Sequence, residues 1–380
     1  MHFVSVFFAI SAVLAFPAAA VQTQAPKPQQ PTGAKTQVIA KGLVHPWGMQ
    51  FLPDGRVIVT ERPGAIRIVD KSGRVSKPLS GAPKVSARGQ GGMLDIALAP
   101  DFATSRILFV SYSQPRGRGQ NGTSVARLKF VSDTQGDRLE DLKVIFKQLP
   151  ANGGGLHFGS RLAFAPDGKL FVTLGERYQK FYAQDPKTHY GKIVRINADG
   201  SVPQDNPFIG DQYKALPHIW SIGHRNPQSA AIHPESGKLW TVEHGARGGD
   251  EINIPQAGKN YGWPVITYGR DYSGAKIGVG TQQSGMEQPV YYWDPSIAPS
   301  GMAFSWSDKY PQWKGNLFVG ALKDRHLARL VLDGEKVVAE ETLLENLRSR
   351  IRDVRQGPDG ALYVLTDSRN GQVLRVVPGR

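Results

Sequence analysis

Four short stretches of the chain carry side chains whose types and spacing suit chemistry. Gly153-Gly154-Gly155-Leu156-His157 places a histidine behind three glycines, where backbone can approach a ligand and the imidazole can serve as a base near neutral pH. His224-Arg225-Asn226-Pro227-Gln228 sets fixed donors side by side, suited to carbonyl or carboxylate oxygen. Glu243-His244-Gly245-Ala246, followed by Asp250-Glu251 and by Tyr261, offers oxygen ligands of the kind a hard cation such as calcium prefers. No two or three histidines stand at zinc spacing. Lys323, Arg350 and Arg352 are cationic, and on a strand Arg350 and Arg352 share a face, where they repel unless something anionic lies between them. Each stretch has a plainer reading: a structural histidine, a turn salt bridge, a solvated edge. Together they suit an anionic, oxygen-rich cofactor held with Ca2+.

Elements that could bring these stretches together are visible as a repeat. An apolar residue, Pro-Asp-Gly or a variant, and a short apolar strand ending near Thr or Glu recur along the chain. Full copies are Phe51-Leu-Pro-Asp-Gly to Glu61, Phe164-Ala-Pro-Asp-Gly to Glu176, and Gln356-Gly-Pro-Asp-Gly to Asp367. Variants start at Leu98 and Ile232, and a degenerate copy runs from Met302 to Gly320. The turn prolines stand at 53, 100, 166, 234 and 358, a period of about sixty residues, long for a propeller blade and roomy enough for functional loops. Proline presets the first turn position, and Asp-Gly closes the hairpin. Six such units make an all-β, six-bladed β-propeller, with Gln37–Ala40 completing the last blade against Gly371–Val377. A pair of β-sandwiches is the alternative. The best helical stretch is Glu340 to Arg350.

Composition narrows the setting. Residues 1–20 contain the apolar run Phe3–Phe16 and then Pro17-Ala18-Ala19-Ala20, the pattern of a signal peptide and of a periplasmic or secreted protein. Residues 21–36, rich in Pro, Gln and Thr, read as a flexible linker, and 37–380 as the propeller. No later run reaches transmembrane length, so no membrane insertion is expected. The chain has no cysteine, so burial, hydrogen bonds and metals must supply what disulfides do not. Its net charge of +14 comes from scattered basic residues, which argues against nucleic acid and for a small polyanion in a pocket. With 43 glycines and 27 prolines the chain suits many short strands and tight turns.

The motifs Gly89-Gln90-Gly-Gly-Met-Leu-Asp-Ile, His157-Phe-Gly-Ser-Arg161, Gly223-His-Arg-Asn-Pro-Gln228 and Asn260-Tyr-Gly-Trp-Pro264 resemble the soluble pyrroloquinoline quinone (PQQ) glucose/sorbosone dehydrogenases, most closely their aldose sugar dehydrogenase branch. The likeness runs from about Gln37 to Pro378. It implies oxidation of an aldose sugar substrate at C1 to the lactone, with electrons passing to an external acceptor. His157 would be the general base and Arg225 the group that polarises the quinone carbonyl. Gln90, Asn226 and Tyr272 would contact the cofactor, and Lys323, Arg350 and Arg352 would cradle its three carboxylates. The carbonyls of Gly245 and Ala246 would bind the cofactor's calcium. Glu251 and the Tyr261 carbonyl would form a second, structural calcium site. Glu176 stands where glucose dehydrogenases of the family carry an Asp that orients the histidine, and Ala246 stands where some relatives carry Pro. Two other classes remain open: a calcium-dependent propeller hydrolase of the lactonase type, with carboxylates from several blades converging on the axis, and a non-catalytic glycan-binding propeller.

Overall fold

The computed structural model describes residues 22–23, 25–210 and 214–379. The expected export segment 1–20 lies outside the described residues.

Six antiparallel sheets follow one another along the chain. Their inner strands are Pro46–Phe51, Met93–Leu98, Gly159–Phe164, Pro227–Ile232, Pro299–Phe304 and Ile351–Gln356. Each inner strand contacts the next, and the sixth returns to the first, so the sheets close into a ring. The repeat unit is the hairpin between the first and second strands of a blade. In the full copies, the glycines at 55, 168 and 360 take φ of 87°, 77° and 82° and donate their N–H back across the turn at 2.9 Å, which is why Asp-Gly recurs there. Ring closure uses the amino-terminal strand: Ala34–Leu43 pairs with Gly371–Pro378, Gln37 opposite Arg375 and Ala40 opposite Val373. The first blade has three strands, and the fourth carries Gln22–Thr23 as an added parallel edge beside Tyr291–Trp293.

Apolar residues from neighbouring blades meet in separate cores, such as Ile58, Ile96 and Leu108 between blades one and two and Trp240, Met302 and Leu330 between blades four and five. The axis is filled by charge. Arg161 Nη1 donates to Asp95 at 2.9 Å and to Asp353 at 2.8 Å, and Arg355 donates to the same two carboxylates at 2.9 and 3.0 Å. Asp353 also accepts the Met49 N–H and Asp95 the Leu162 N–H, so the cluster ties four blades together. Paired guanidinium and carboxylate groups make such burial tolerable.

Two segments differ from their sequence reading. Residues 25–33, expected as tether, lie against blades four and five: Ala25 N–H donates to Tyr291 Oη, Glu340 N–H to the Pro26 carbonyl, and Gly33 N–H to Glu341, each at 2.9 Å. Trp313 Nε1 donates to Thr32 Oγ1 at 2.8 Å. Proline and glutamine carry no apolar period, but their backbone can still saturate an edge. The stretch expected as helix is strand over Lys336–Leu343 and one 3-10 turn at Glu345–Leu347. Val337, Ala339, Glu341 and Leu343 alternate inward with a period of two, and that pattern overrides the helix propensity of the glutamates.

Every inner strand slips register against its neighbour at the same end, opposite the Pro-Asp-Gly turns. In blades one, four and six the slip inserts one residue, namely Trp47, Gln228 and Arg352. Bulges re-aim side chains, and all three of these residues line one cavity at that end of the ring.

Candidate active site

His157 follows the glycine run and enters the inner strand of blade three. It adopts φ of 49°, in the left-handed region that costs a non-glycine residue energy. Neighbours hold it there. Its N–H donates to Gln90 Oε1 at 2.8 Å, and its carbonyl accepts the Arg177 N–H at 3.3 Å. That carbonyl lies 2.1 Å from where a side chain on Gly175 would begin, so residue 175 must be glycine. The imidazole is buried, with Nδ1 2.7 Å from Glu176 Oε1 and its ring edge-on to Tyr178 at 5.4 Å. The second oxygen of Glu176 accepts the Gln179 N–H at 2.6 Å. A carboxylate on Nδ1 selects the tautomer with Nδ1–H and a free Nε2 lone pair. Burial pulls the His157 pKa below its ordinary value and Arg225 adds to this, while Glu176 opposes it. His157 is therefore neutral at neutral pH, as a base must be.

Arg225 and Asn226 precede the inner strand of blade four. The Arg225 N–H donates to Glu243 at 2.6 Å, and its guanidinium donates to the carbonyls of His244, at 3.1 Å, and Gly245. Its ring neighbour is Trp263, 5.2 Å from the guanidinium carbon. Asn226 Oδ1 accepts the Gly159 N–H at 3.1 Å and Gln228 Nε2 at 3.2 Å, and Gln228 Oε1 accepts Arg352 Nη1 at 3.2 Å. A chain of hydrogen bonds thus joins the backbone beside His157 to Arg352 in blade six.

Two cavities flank this chain. One of about 340 Å³ is lined by Gln90, Gln228, His244, Arg62, Arg350, Arg352 and Asp367 among others. The second, of about 610 Å³, is lined by Glu176, Arg225, Ala246, Trp263, Tyr272 and residues 178–182. Between them the structure gathers Gln90, His157, Glu176, Arg225, Asn226, Ala246, Tyr272, Arg350 and Arg352. Lys323 is left out: it is 57% exposed, and its Nζ donates to the Ser296 carbonyl and to Asp324. Its neighbour Leu322 lines the smaller cavity instead.

The two arginines are not as bare as their spacing suggests. Asp367 Oδ2 sits 3.0 Å from Arg352 Nη2 and 3.6 Å from Arg350 Nε, and His45 contacts its other oxygen at 2.8 Å. Burial alone would raise the Asp367 pKa, but Arg352, His45 and Arg350 hold it far below the usual carboxylate range. With Arg62, three guanidinia face one carboxylate in this cavity, so it retains positive charge. A signal for Asp367 is present in the sequence. It ends the sixth copy of the repeat where Glu61, Glu176 and Glu243 end the first, third and fourth. Each of these acids receives donors at the same end of the ring: Val44 N–H and Arg67 at Glu61, His157 at Glu176, His224 and Arg225 N–H at Glu243.

The residues present can be tested against the cofactor and metals the motifs imply. Arg225 Nε, Asn226 Nδ2 and Arg352 Nε are buried donors with no acceptor in the protein. Leaving such groups unpaired costs about 1–3 kcal/mol each, and an anionic ligand rich in oxygen would satisfy them. Of the Gly245 and Ala246 carbonyls, the first meets the Arg225 cation. Two carbonyls are too few for calcium, which takes six to eight oxygens, unless a bound ligand supplies others. Glu251 fits a cation better. Burial raises its pKa well above the usual value, with Glu243 and Asp250 adding to the shift, and Asn253 is shared between Glu251 and Glu243 at 3.3 and 3.1 Å. A void of about 10 Å³ lined by Glu243, Glu251, Tyr261 and Thr267 has room for one water-sized atom. Among the described residues no three His, Asp or Glu side chains form a metal cluster, and the axial carboxylates Asp95 and Asp353 are taken by arginines. Among the described residues the axis therefore presents no cluster of free carboxylates of the kind a lactonase-type hydrolase would use.

Comparison with known proteins agrees with this geometry. The chain is 48% identical over 351 residues to aldose sugar dehydrogenase YliI of Escherichia coli (strain K12), covering 92% of this chain and 94% of that one. The apo form of the soluble aldose sugar dehydrogenase from Escherichia coli superposes with a TM-score of 0.88 at 48% identity, covering 91% of this chain and 99% of the other. The PQQ-bound aldose sugar dehydrogenase of Streptomyces coelicolor gives a TM-score of 0.74 at 30% identity, covering 91% and 99%. A sequence model described as Glucose / Sorbosone dehydrogenase matches residues 43–375. The chain belongs to the glucose/sorbosone dehydrogenase family, on its aldose sugar dehydrogenase branch.

Proposed function

We propose that this sugar oxidoreductase of the quinoprotein class oxidises aldoses at C1 to the lactone, with His157 as general base and with PQQ and calcium as its cofactors. The observation that carries the reading is the set of buried donors without acceptors, on Arg225, Asn226 and Arg352, beside a buried neutral His157. When bound, the quinone supplies the two-electron acceptor for the hydride leaving C1. His157 Nε2 takes the proton of the C1 hydroxyl, and Glu176 holds the imidazole and stabilises its charged form. Arg225 places positive charge where negative charge develops in the transition state. Gln90 fixes the backbone of His157, and Asn226 and Gln228 fix the inner strand of blade three relative to Arg352. Arg62, Arg350 and Arg352 bind carboxylates, their charge offset in part by Asp367. The Gly245 and Ala246 carbonyls would hold a calcium shared with the quinone, which would polarise it as a Lewis acid. Glu251 and the Tyr261 carbonyl would hold a structural calcium.

The N-terminal segment supports an exported, periplasmic or secreted protein, with residues 37–380 as its catalytic propeller. Among the described residues no helix is long and apolar enough to cross a membrane. The electrons leave to an external acceptor. The test is reconstitution: purified protein should bleach a redox dye with glucose only when both quinone and calcium are added. Lactone opening without quinone would instead support a hydrolase.

A further inference from the structure

Three non-glycine residues meet at one spot with left-handed backbone: His157, Arg177 and Tyr178, at φ of 49°, 57° and 61°. Such conformations cost about 1–3 kcal/mol each and persist where the surroundings over-determine them. Arg177 makes several of the contacts that do so. Its side chain is buried, at 1% exposure, and its bonds go to neutral oxygens. Nε donates to the Leu156 carbonyl at 2.9 Å, and Nη2 donates to the Gly154 carbonyl at 2.6 Å and to Asn121 Oδ1 at 2.8 Å. The guanidinium carbon lies 3.7 Å from the centre of the Phe158 ring. The Arg177 N–H donates to the His157 carbonyl at 3.3 Å. One side chain thus grips residues 154, 156 and 158, and its backbone grips 157 between them.

Stability does not account for this placement. Burial lowers the Arg177 pKa to about 10, with Tyr190 and Glu176 opposing the shift. Glu176, the adjacent acid, is taken up by His157 and the Gln179 N–H. Nη1 of Arg177 finds no acceptor in the protein. A buried guanidinium without a bonded carboxylate, and with one nitrogen unpaired, is a net cost to the fold. What it does supply is a rigid planar fork that reaches two carbonyls of one segment at once. That segment needs holding, because glycines at 153, 154 and 155 leave it with no side chains to pack. Asn121 and Asn152 extend the grip: Asn121 Nδ2 donates to the Gly154 carbonyl at 3.1 Å, and Asn152 Oδ1 accepts the Gly154 N–H at 2.9 Å. Arg177 lines neither of the two cavities, so whatever it does for the reaction passes through His157.

We propose that Arg177 is a positioning residue for the base: its guanidinium locks the glycine run ahead of His157 and the ring behind it, so that the imidazole stays on Glu176 with Nε2 free to take the proton. This rests on His157 as the general base.

The test uses enzyme loaded with quinone and calcium, with kcat expressed per bound quinone, comparing wild type, Arg177→Met and Arg177→Lys on glucose. Methionine keeps an apolar contact with Phe158 but has no donors, and lysine keeps the charge but not the planar fork. Arg177→Met should lower kcat about ten- to a hundredfold, the scale of a group displaced by about 1 Å, while the KM for glucose and the quinone affinity stay within about twofold. Arg177→Lys should keep less than about half of the wild-type kcat. A larger kcat in Arg177→Lys overturns the proposal, because charge alone would then suffice, and an unchanged kcat in Arg177→Met overturns it as well. So does a loss of quinone affinity in place of a loss of kcat, which would make Arg177 part of cofactor binding. Where Arg177→Met does not fold, Arg177→Lys decides. Proton NMR gives a readout apart from turnover. The hydrogen-bonded Nδ1 proton of His157, identified by its loss in His157→Ala, should give a downfield resonance in wild type that broadens by exchange in each folded Arg177 variant. If wild type oxidises no aldose, the reading of His157 as base fails by itself, and the resonance judges the clamp: broadening upholds it, and an unchanged resonance overturns it.

Discussion

Nδ1 of His157 lies 2.7 Å from Oε1 of Glu176, and the same relationship recurs nineteen residues apart in the next blade, where His224 Nδ1 is 2.9 Å from Glu243 Oε1. The two pairs differ in surroundings. His224 also bonds Ser221 at 2.9 Å and stacks on Tyr261, so both its nitrogens are committed. Glu176 lines the large cavity, and Phe158 and Gly159 line the small one. The pair in blade four is fully committed to its neighbours, and the pair in blade three is the one we propose as catalytic. His157→Ala should lower kcat by roughly a hundred- to ten-thousand-fold and leave quinone affinity unchanged, measured by dye reduction and by quinone titration.

The pH profile follows from the direction of the His157 shift. Burial and Arg225 lower its pKa, and Glu176 raises it. The base is active when unprotonated, so kcat/KM should stay level from pH 8 to below the ordinary histidine value of about 6.5 and fall only in more acid solution. Glu176→Gln removes the influence that raises the pKa, so its acid limb should move to still lower pH while kcat drops about ten- to a hundredfold. A wild-type limb above pH 7 contradicts the assignment.

Arg352 and Arg350 should act on cofactor affinity rather than on the base. Loss of one charged hydrogen bond costs about 1.5–3 kcal/mol, so Arg350→Ala, at a 45% exposed side chain, should weaken quinone binding about ten- to a hundredfold without loss of fold. Arg352→Ala should do the same and also destabilise the protein, because Asp367 then loses its closest cation. Equilibrium titration of apoenzyme with quinone, paired with urea unfolding, separates the two effects.

Burial and the neighbouring Glu243 disfavour the charged form of Glu251, a cost that a bound cation would offset. Removal of calcium with a chelator should lower the melting temperature of wild type. Glu251→Gln should lose that calcium response and melt, in chelator, no lower than chelated wild type. Scanning calorimetry with and without calcium gives both values.

On the axis, Asp95→Ala should cost roughly 3–5 kcal/mol, because it leaves Arg161 and Arg355 buried with one carboxylate between them. Urea unfolding measures this.

Much of the architecture was legible because Pro-Asp-Gly turns have a local cause, and six copies imply six hairpins. The closing strand was expected from the need to complete the last blade, and its partner register, Gln37 opposite Arg375, falls inside the segments expected. Local pattern could not show that residues 25–33 lie on blades four and five, since backbone carbonyls and N–H groups do that work. Nor could it show the bulges. Alternation puts Arg350 and Arg352 on one face, but Arg350 precedes the strand and Arg352 is the inserted residue, and Asp367 brings both to the cavity. Lys323 was grouped with them by charge and by resemblance, and its ammonium is satisfied at the surface. Asp367 and Gln228 stood inside quoted motifs, yet their roles depend on side-chain contacts with Arg352, 15 residues away within blade six and 124 residues away across blades, beyond what spacing can report.

The central claim is that a multiply charged quinone completes the buried donors of Arg225, Asn226 and Arg352 next to His157. The most direct measurement is an absorbance titration of apoprotein with PQQ in calcium, followed by glucose, for wild type and His157→Ala. Saturation at one quinone per chain in both proteins, with reduction by glucose in wild type alone, is the predicted result. Failure of either protein to bind quinone, or equal reduction in both, would contradict it.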